Sequence, residues 1–145
     1  MRDRYADYLK YTPVVKKVEL IEERHISETV TETITEWEGR AEIPTLVRHI
    51  IKPRMIRWRV HTLWNMEHWN CDWRMETFYF KEIFECRGTI TFNEKEEGRT
   101  EIILAAVFHI DVPILGHAAE KFIVRNYLSR NLMLNRKAIN RLLVE

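Results

Sequence analysis

The chain has 145 residues, 46% apolar and 31% charged, with a net charge of +1. That is the balance of one globular domain, able to bury roughly two-thirds of the surface its unfolded chain exposes, and not that of a disordered segment. No apolar run approaches the roughly 20 residues a membrane-spanning helix needs. The start, MRDRYADYLK, has no apolar signal core, so a cytoplasmic location is expected.

Four glycines and four prolines punctuate the sequence, which predicts long elements joined by few turns. RDRYADYLKY reads as a short helix stopped by Thr12-Pro13. Strands are expected at about 14–25 and 27–39, and TLVRHII, between Pro44 and Pro53, as a short strand or irregular edge segment. Four more strands follow at 55–64, 68–79, 83–93 and 99–110, the last two joined by EKEEG, a hairpin loop ending in Gly98.

Successive strand side chains point to opposite faces, so parity sorts them. Trp58, Val60, Thr62 and Trp64 oppose Arg57, Arg59 and His61, and Cys71, Trp73 and Met75 oppose Asp72, Arg74 and Glu76. Phe84, Cys86, Gly88, Ile90 and Phe92 oppose Glu85, Arg87 and Thr89. The last strand is less clean: Ile102, Leu104, Ala106, Phe108 and Ile110 are apolar, and the other parity mixes Glu101, Ile103, Ala105, Val107 and His109. An antiparallel sheet follows, with one wet face and one aromatic face that must be covered. In TVTETITEW, either Thr29, Thr31, Thr33 and Thr35 face inward and line a hydroxyl-rich surface, or Val30 and Ile34 do.

From Asp111 and Pro113 the period changes. Asp111 is a cap and Pro113 a first-turn residue for a helix of about 45 Å. Val124, Leu128, Leu132, Ile139 and Leu142 form its apolar stripe, with Arg130, Lys137 and Arg141 opposite. The expected fold is α+β: a curved antiparallel sheet gripping this long C-terminal helix, with a short N-terminal helix. Asn131, Asn135 and His117 sit in or near the stripe. A buried amide without a partner costs on the order of 1–3 kcal/mol, so each needs a backbone group, a water or a ligand.

The charges are uneven. Residues 19–42 hold Glu19, Glu22, Glu23, Glu28, Glu32, Glu36, Glu38 and Glu42, while 121–144 hold Lys121, Arg125, Arg130, Arg136, Lys137 and Arg141 with no acid. The preferred reading is two solvated faces of opposite sign; the sharper one is a transient contact of the basic helix with an anionic membrane surface. The domain is not basic enough for a nucleic-acid partner. Cys71 and Cys86 fit reduced core thiols better than a disulfide. No spacing suggests a metal site, a phosphate loop or a nucleophile–base pair, so no metal, cofactor or catalytic residue is assigned.

The short N-terminal helix, the long sheet and the C-terminal helix resemble the START-like, helix-grip superfamily of polyketide cyclases, lipid-transfer domains and coenzyme Q-binding proteins. EIPTLVRHIIKP and VFHIDVPILGHAAEKFI resemble an uncharacterised bacterial branch, with Val112, Pro113, Ile114, Leu115, Gly116 and Glu120 in matching positions. The likeness covers most of a single domain, 1–145, and departs at the front, where the superfamily's first strand is not visible. It implies binding or transport of a hydrophobic small molecule (lipid, isoprenoid, quinone or polyketide-like) between sheet and helix. Trp58, Trp64, Trp73, Phe84 and Phe108 would give apolar contact, and Asn131, Asn135 and Thr33 would orient a polar head. The alternatives are a cyclase, dehydratase or hydrolase using His117 or Glu120 in the same cavity, and a filled-core interaction module. Either the start given lies too late, or an edge strand has been lost and an open sheet edge is expected, through which a homodimer could form.

Overall fold

The computed structural model describes residues 5–40, 45, 48, 52–111, 133, 136, 137 and 140. One helix, α1 (Tyr5–Tyr11), precedes six strands: β1 (Val15–His25), β2 (Val30–Gly39), β3 (Arg57–Asn65), β4 (Asn70–Thr77), β5 (Phe84–Lys95) and β6 (Arg99–Ile110). The strands form one antiparallel sheet in the order of the chain, β1 to β6. Such a meander joins strands that are neighbours in sequence, by short turns everywhere except between β2 and β3.

Each turn carries its own chemistry. Pro13 ends α1, and the Val15 amide donates to the Thr12 carbonyl at 3.1 Å to start β1. The Asn65 side-chain oxygen accepts from the amides of Glu67 and His68, both at 3.0 Å, an Asx turn that reverses the chain into β4. Trp69 then takes a left-handed conformation (φ 51°), as does Phe80 (φ 60°) in the next turn. Between β5 and β6, Gly98 holds φ 71°, the region that glycine occupies without steric cost.

Register fixes which residues share a face. Across β2, β3, β4, β5 and β6, one row reads Thr33, Thr62, Trp73, Gly88, Ala106, and the next Thr31, Trp64, Cys71, Ile90, Leu104. The row on the other side reads Thr35, Val60, Met75, Cys86, Phe108. The aromatic parity and the threonines therefore lie on one face, which settles the β2 alternative in favour of inward threonines. Thr31, Thr33, Thr35, Thr62, Trp64, Cys71 and Cys86 are buried.

The opposite face is ionic. Glu36 pairs with Arg57 and Arg59, Arg24 with Glu32, and Glu76 with Lys81. Arg57 and Arg59 also lie 5.3 and 5.1 Å from the Phe78 ring centre.

The expected helix-grip fold is corrected. The described residues form a six-stranded sheet with one short helix and 3-10 turns at Pro53–Met55 and Glu96–Gly98; no long helix gripped by the sheet is among them. Met133, Arg136, Lys137 and Asn140 are helical one by one, but the segment carrying the apolar stripe lies outside the described residues. Amphipathic period reports a helix-forming tendency and says nothing of what that helix rests on. The face the helix was expected to cover is not uniformly apolar. Its β2 strip is a threonine row, and on β6 Ile102 and Leu104 remain 42% and 40% exposed. The strand or edge segment expected from TLVRHII lies outside the described residues except for Thr45, in a 3-10 turn, and Arg48, in a turn.

Candidate functional site

The threonines on the aromatic face satisfy one another. Thr33 and Thr62, directly opposite on β2 and β3, share a hydroxyl–hydroxyl hydrogen bond. The Trp37 indole N–H donates to Thr35 Oγ1 at 2.8 Å, and Thr35 donates to the Val60 carbonyl at 3.4 Å. Thr31 Oγ1 lies 3.1 Å from His25 Nδ1. Each of these hydroxyls therefore has at least one hydrogen-bond partner.

The unmet polar groups lie one or two strands further on. Among the described residues, the buried Nε1 of Trp64, Nε1 of Trp73 and Oγ1 of Thr77 have no hydrogen-bond partner. Trp64 is only 9% exposed. An indole N–H is a donor with no acceptor capacity, so each of the two tryptophans calls for an acceptor. They are diagonal neighbours: Trp73 faces Thr62, and Trp64, two residues along β3, faces Cys71. Such diagonal positions are about 7–8 Å apart.

The surroundings of these N–H groups are apolar and aromatic. Trp64 stacks with Phe92 at 6.4 Å between ring centres, Trp37 with Trp58 at 6.4 Å, and Phe84 meets Phe108 edge-on at 5.3 Å. Trp73 occupies the middle of the face because its neighbours in the row are small. A Cβ on Gly88 would sit 3.0 Å from the Trp73 ring and 2.1 Å from the Ala105 carbonyl oxygen. Burial pushes the Cys71 thiol up to about 12, with the Asp72 carboxylate adding to it, and the Cys86 thiol up to about 11. Both stay protonated and behave as small apolar groups rather than nucleophiles.

Trp58, Trp64, Trp73, Phe84 and Phe108 thus share one face, as parity predicts, and the register adds Thr33, whose face the sequence left open and which is already bonded to Thr62. Asn131, Asn135, His117 and Glu120 lie outside the described residues. Thr77, which lies opposite Trp58 and shares the parity of Cys71, Trp73 and Met75, was not singled out from the sequence.

A second feature lies on the ionic face. An open groove of about 570 Å³ runs across β3 to β6, with His61, Asp72, Arg74, Arg87 and Thr89 at its floor. The His61 Nδ1 lies 3.2 Å from Arg74 Nη2 and its Nε2 lies 3.0 Å from Glu76 Oε2. Arginine only donates, so Nδ1 accepts and Nε2–H donates to Glu76. Both ring nitrogens are engaged, which leaves no lone pair for a general base. Hydrogen bonds from Lys81 first, then His61, hold the Glu76 carboxyl down at about 2. Among the described residues no group of three or more histidine, cysteine or acidic side chains could hold a metal ion. Nor is any helix among them long and apolar enough to cross a membrane.

A family model matches residues 2–140, nearly the whole sequence. The chain belongs to that family. Its description is "Protein of unknown function (DUF2505)". No curated protein matches the chain by sequence. The family match spans all six strands, so the aromatic face with its two unpartnered indoles lies wholly within the DUF2505 region.

Proposed function

We propose that this chain binds a hydrophobic small molecule that carries hydrogen-bond acceptors, such as a lipid, isoprenoid, quinone or polyketide-like ring, on the aromatic face of its sheet. The observation that supports this reading is the pair of buried, unpartnered indole N–H groups at Trp64 and Trp73. Leaving a desolvated donor unmet costs on the order of 1–3 kcal/mol, and a ligand carbonyl or carboxylate oxygen would recover it. Phe84, Phe92, Phe108 and Trp58 supply apolar contact, so affinity arises mainly from removing apolar area from water, at about 25 cal/mol per Å² before ordering costs. The indoles act as the selective element, favouring molecules with oxygens over plain hydrocarbons.

The test is native mass spectrometry of gently purified protein, followed by titration with oleate and decylubiquinone read by tryptophan fluorescence. A stoichiometric adduct or saturable quenching is expected. Trp64→Phe and Trp73→Phe keep a ring but delete the donor, and each should weaken binding by roughly 2- to 12-fold, the worth of one neutral hydrogen bond. A clean apo mass with no response to either probe would overturn the proposal.

A further inference from the structure

The surroundings of the two unpartnered indoles bear on the charge of what meets them. Both N–H groups only donate, and a neutral carbonyl and a carboxylate each supply the lone pair they need. The two differ in what else they require. Along the described strands β2 to β6, the rows on this face hold no lysine, arginine or histidine. β1 brings His25 into the row of Thr31 and Trp64, but its ring is already engaged, by Thr31 at one nitrogen and Glu23 at the other. Glu23 itself adds negative charge opposite Thr33. The Cys71 thiol, directly opposite Trp64, reports how this setting treats an anion: burial, with the Asp72 carboxylate adding to it, pushes it up to about 12. A carboxylate beside it meets the same penalty with no cation among these strands to offset it, whereas a carbonyl brings its lone pairs without a charge.

We infer, building on the binding reading above, that the aromatic face selects an uncharged ligand whose acceptors are the carbonyl oxygens of an ester, ketone or quinone, and discriminates against the free carboxylate of the same chain. The hydroxyls that could otherwise stabilise an anion are already committed. Thr33 and Thr62 bond each other, and Thr35 bonds the Trp37 indole and the Val60 carbonyl. The indole nitrogens of Trp64 and Trp73 are desolvated, so a ligand carbonyl gains a hydrogen bond there at no cost in buried charge. Phe92, stacked on Trp64, receives the apolar part of such a molecule next to the donor that orients it.

The experiment compares decanoate with methyl decanoate, the same chain with and without its charge, in titrations of the full chain read by tryptophan fluorescence at about pH 8, where the acid is ionised. Decylubiquinone serves as an uncharged carbonyl probe of different shape. The ester is expected to bind at least about tenfold more tightly than the acid, because an unpaired buried charge costs more than the free energy that tenfold represents. Lowering the pH to about 5 protonates a growing share of decanoate and should tighten its binding, while methyl decanoate stays unchanged. Greater hydrophobicity alone would also favour the ester, so the donors are tested directly: Trp64→Phe with Trp73→Phe should weaken methyl decanoate by roughly 2- to 12-fold for each donor lost. Decanoate binding as tightly as its ester, or an ester that the double variant holds as well as wild type does, would overturn the inference while a hydrophobic site remains. No response to ester, acid or quinone would overturn both.

Discussion

The buried hydroxyl pair between Thr33 and Thr62 offers a sharp test of how the β2–β3 interior is held. Thr33 is 1% and Thr62 9% exposed, and they face each other in the strand register. Thr33→Val keeps shape and β-propensity but leaves the Thr62 hydroxyl buried with nothing to bond. The expected cost is the desolvation of that orphan, about 1–3 kcal/mol, and Thr62→Val should cost a similar amount. The double variant removes both polar groups together and should lie close to wild type or above it. The cycle therefore predicts a coupling of at least about 1 kcal/mol, well outside the few tenths seen for independent sites. Urea unfolding read by tryptophan fluorescence measures all four proteins. For a chain of this size each kcal/mol also moves the melting temperature by about 2–4 °C, an independent readout. Additive single costs would refute the reasoning, because they would mean that each hydroxyl finds its own partner and the pair is incidental.

Other consequences are simpler to read. Gly88→Ala should lower the urea midpoint by the equivalent of 1–3 kcal/mol or more, because the added carbon meets Ala105 and Ala106 backbone atoms at 2.1 and 2.9 Å, which cannot move aside cheaply. Cys71 and Cys86 should resist a thiol reagent in the native state and react only as the chain opens. Their raised values mean that stability present below the ordinary 9.0 is lost as pH climbs toward about 11 and 12, so Cys71→Ala should flatten the alkaline limb of an unfolding-versus-pH curve. Glu76 runs the other way. Its lowered value gives stability that is present above the ordinary 4.5 and lost as pH falls toward about 2, and Glu76→Gln should remove that slope. The effect should stay under about 1 kcal/mol, since the carboxylate is a third exposed. Trp69→Asn should stabilise the β3–β4 turn by about 0.5–1 kcal/mol, asparagine tolerating the left-handed conformation that tryptophan is forced into there.

The central sheet was legible because period-two alternation is a direct image of a half-buried strand. The parities of 57–65, 70–77 and 84–92 sort the tryptophans, cysteines and phenylalanines onto one face and the arginines and glutamates onto the other, as the register shows. β2 was ambiguous in isolation, since threonine is at home on either side of a sheet; only Thr33 meeting Thr62 and Thr35 meeting Trp37 resolve it. The orphaned indoles were beyond reach for a different reason. Whether an N–H finds an acceptor depends on side-chain packing across strands, and no spacing along the chain encodes that. The helix-grip expectation failed because it joined a helix-forming period to an aromatic face without any signal for the contact between them.

β6 shows where alternation stops being informative and why that matters. In β2, buried and half-buried residues alternate along the strand, because one face is covered and neighbours lie on both sides. In β6, residues 99 to 107 are all exposed. The weak alternation of TEIILAAVFHI was thus already a physical signal. A strand whose two parities are both apolar has no solvated face to offer, and among the described residues β6 pairs with β5 alone. Burying Ile103, Val107, Ile102 and Leu104 requires material from outside the strand on both faces at once.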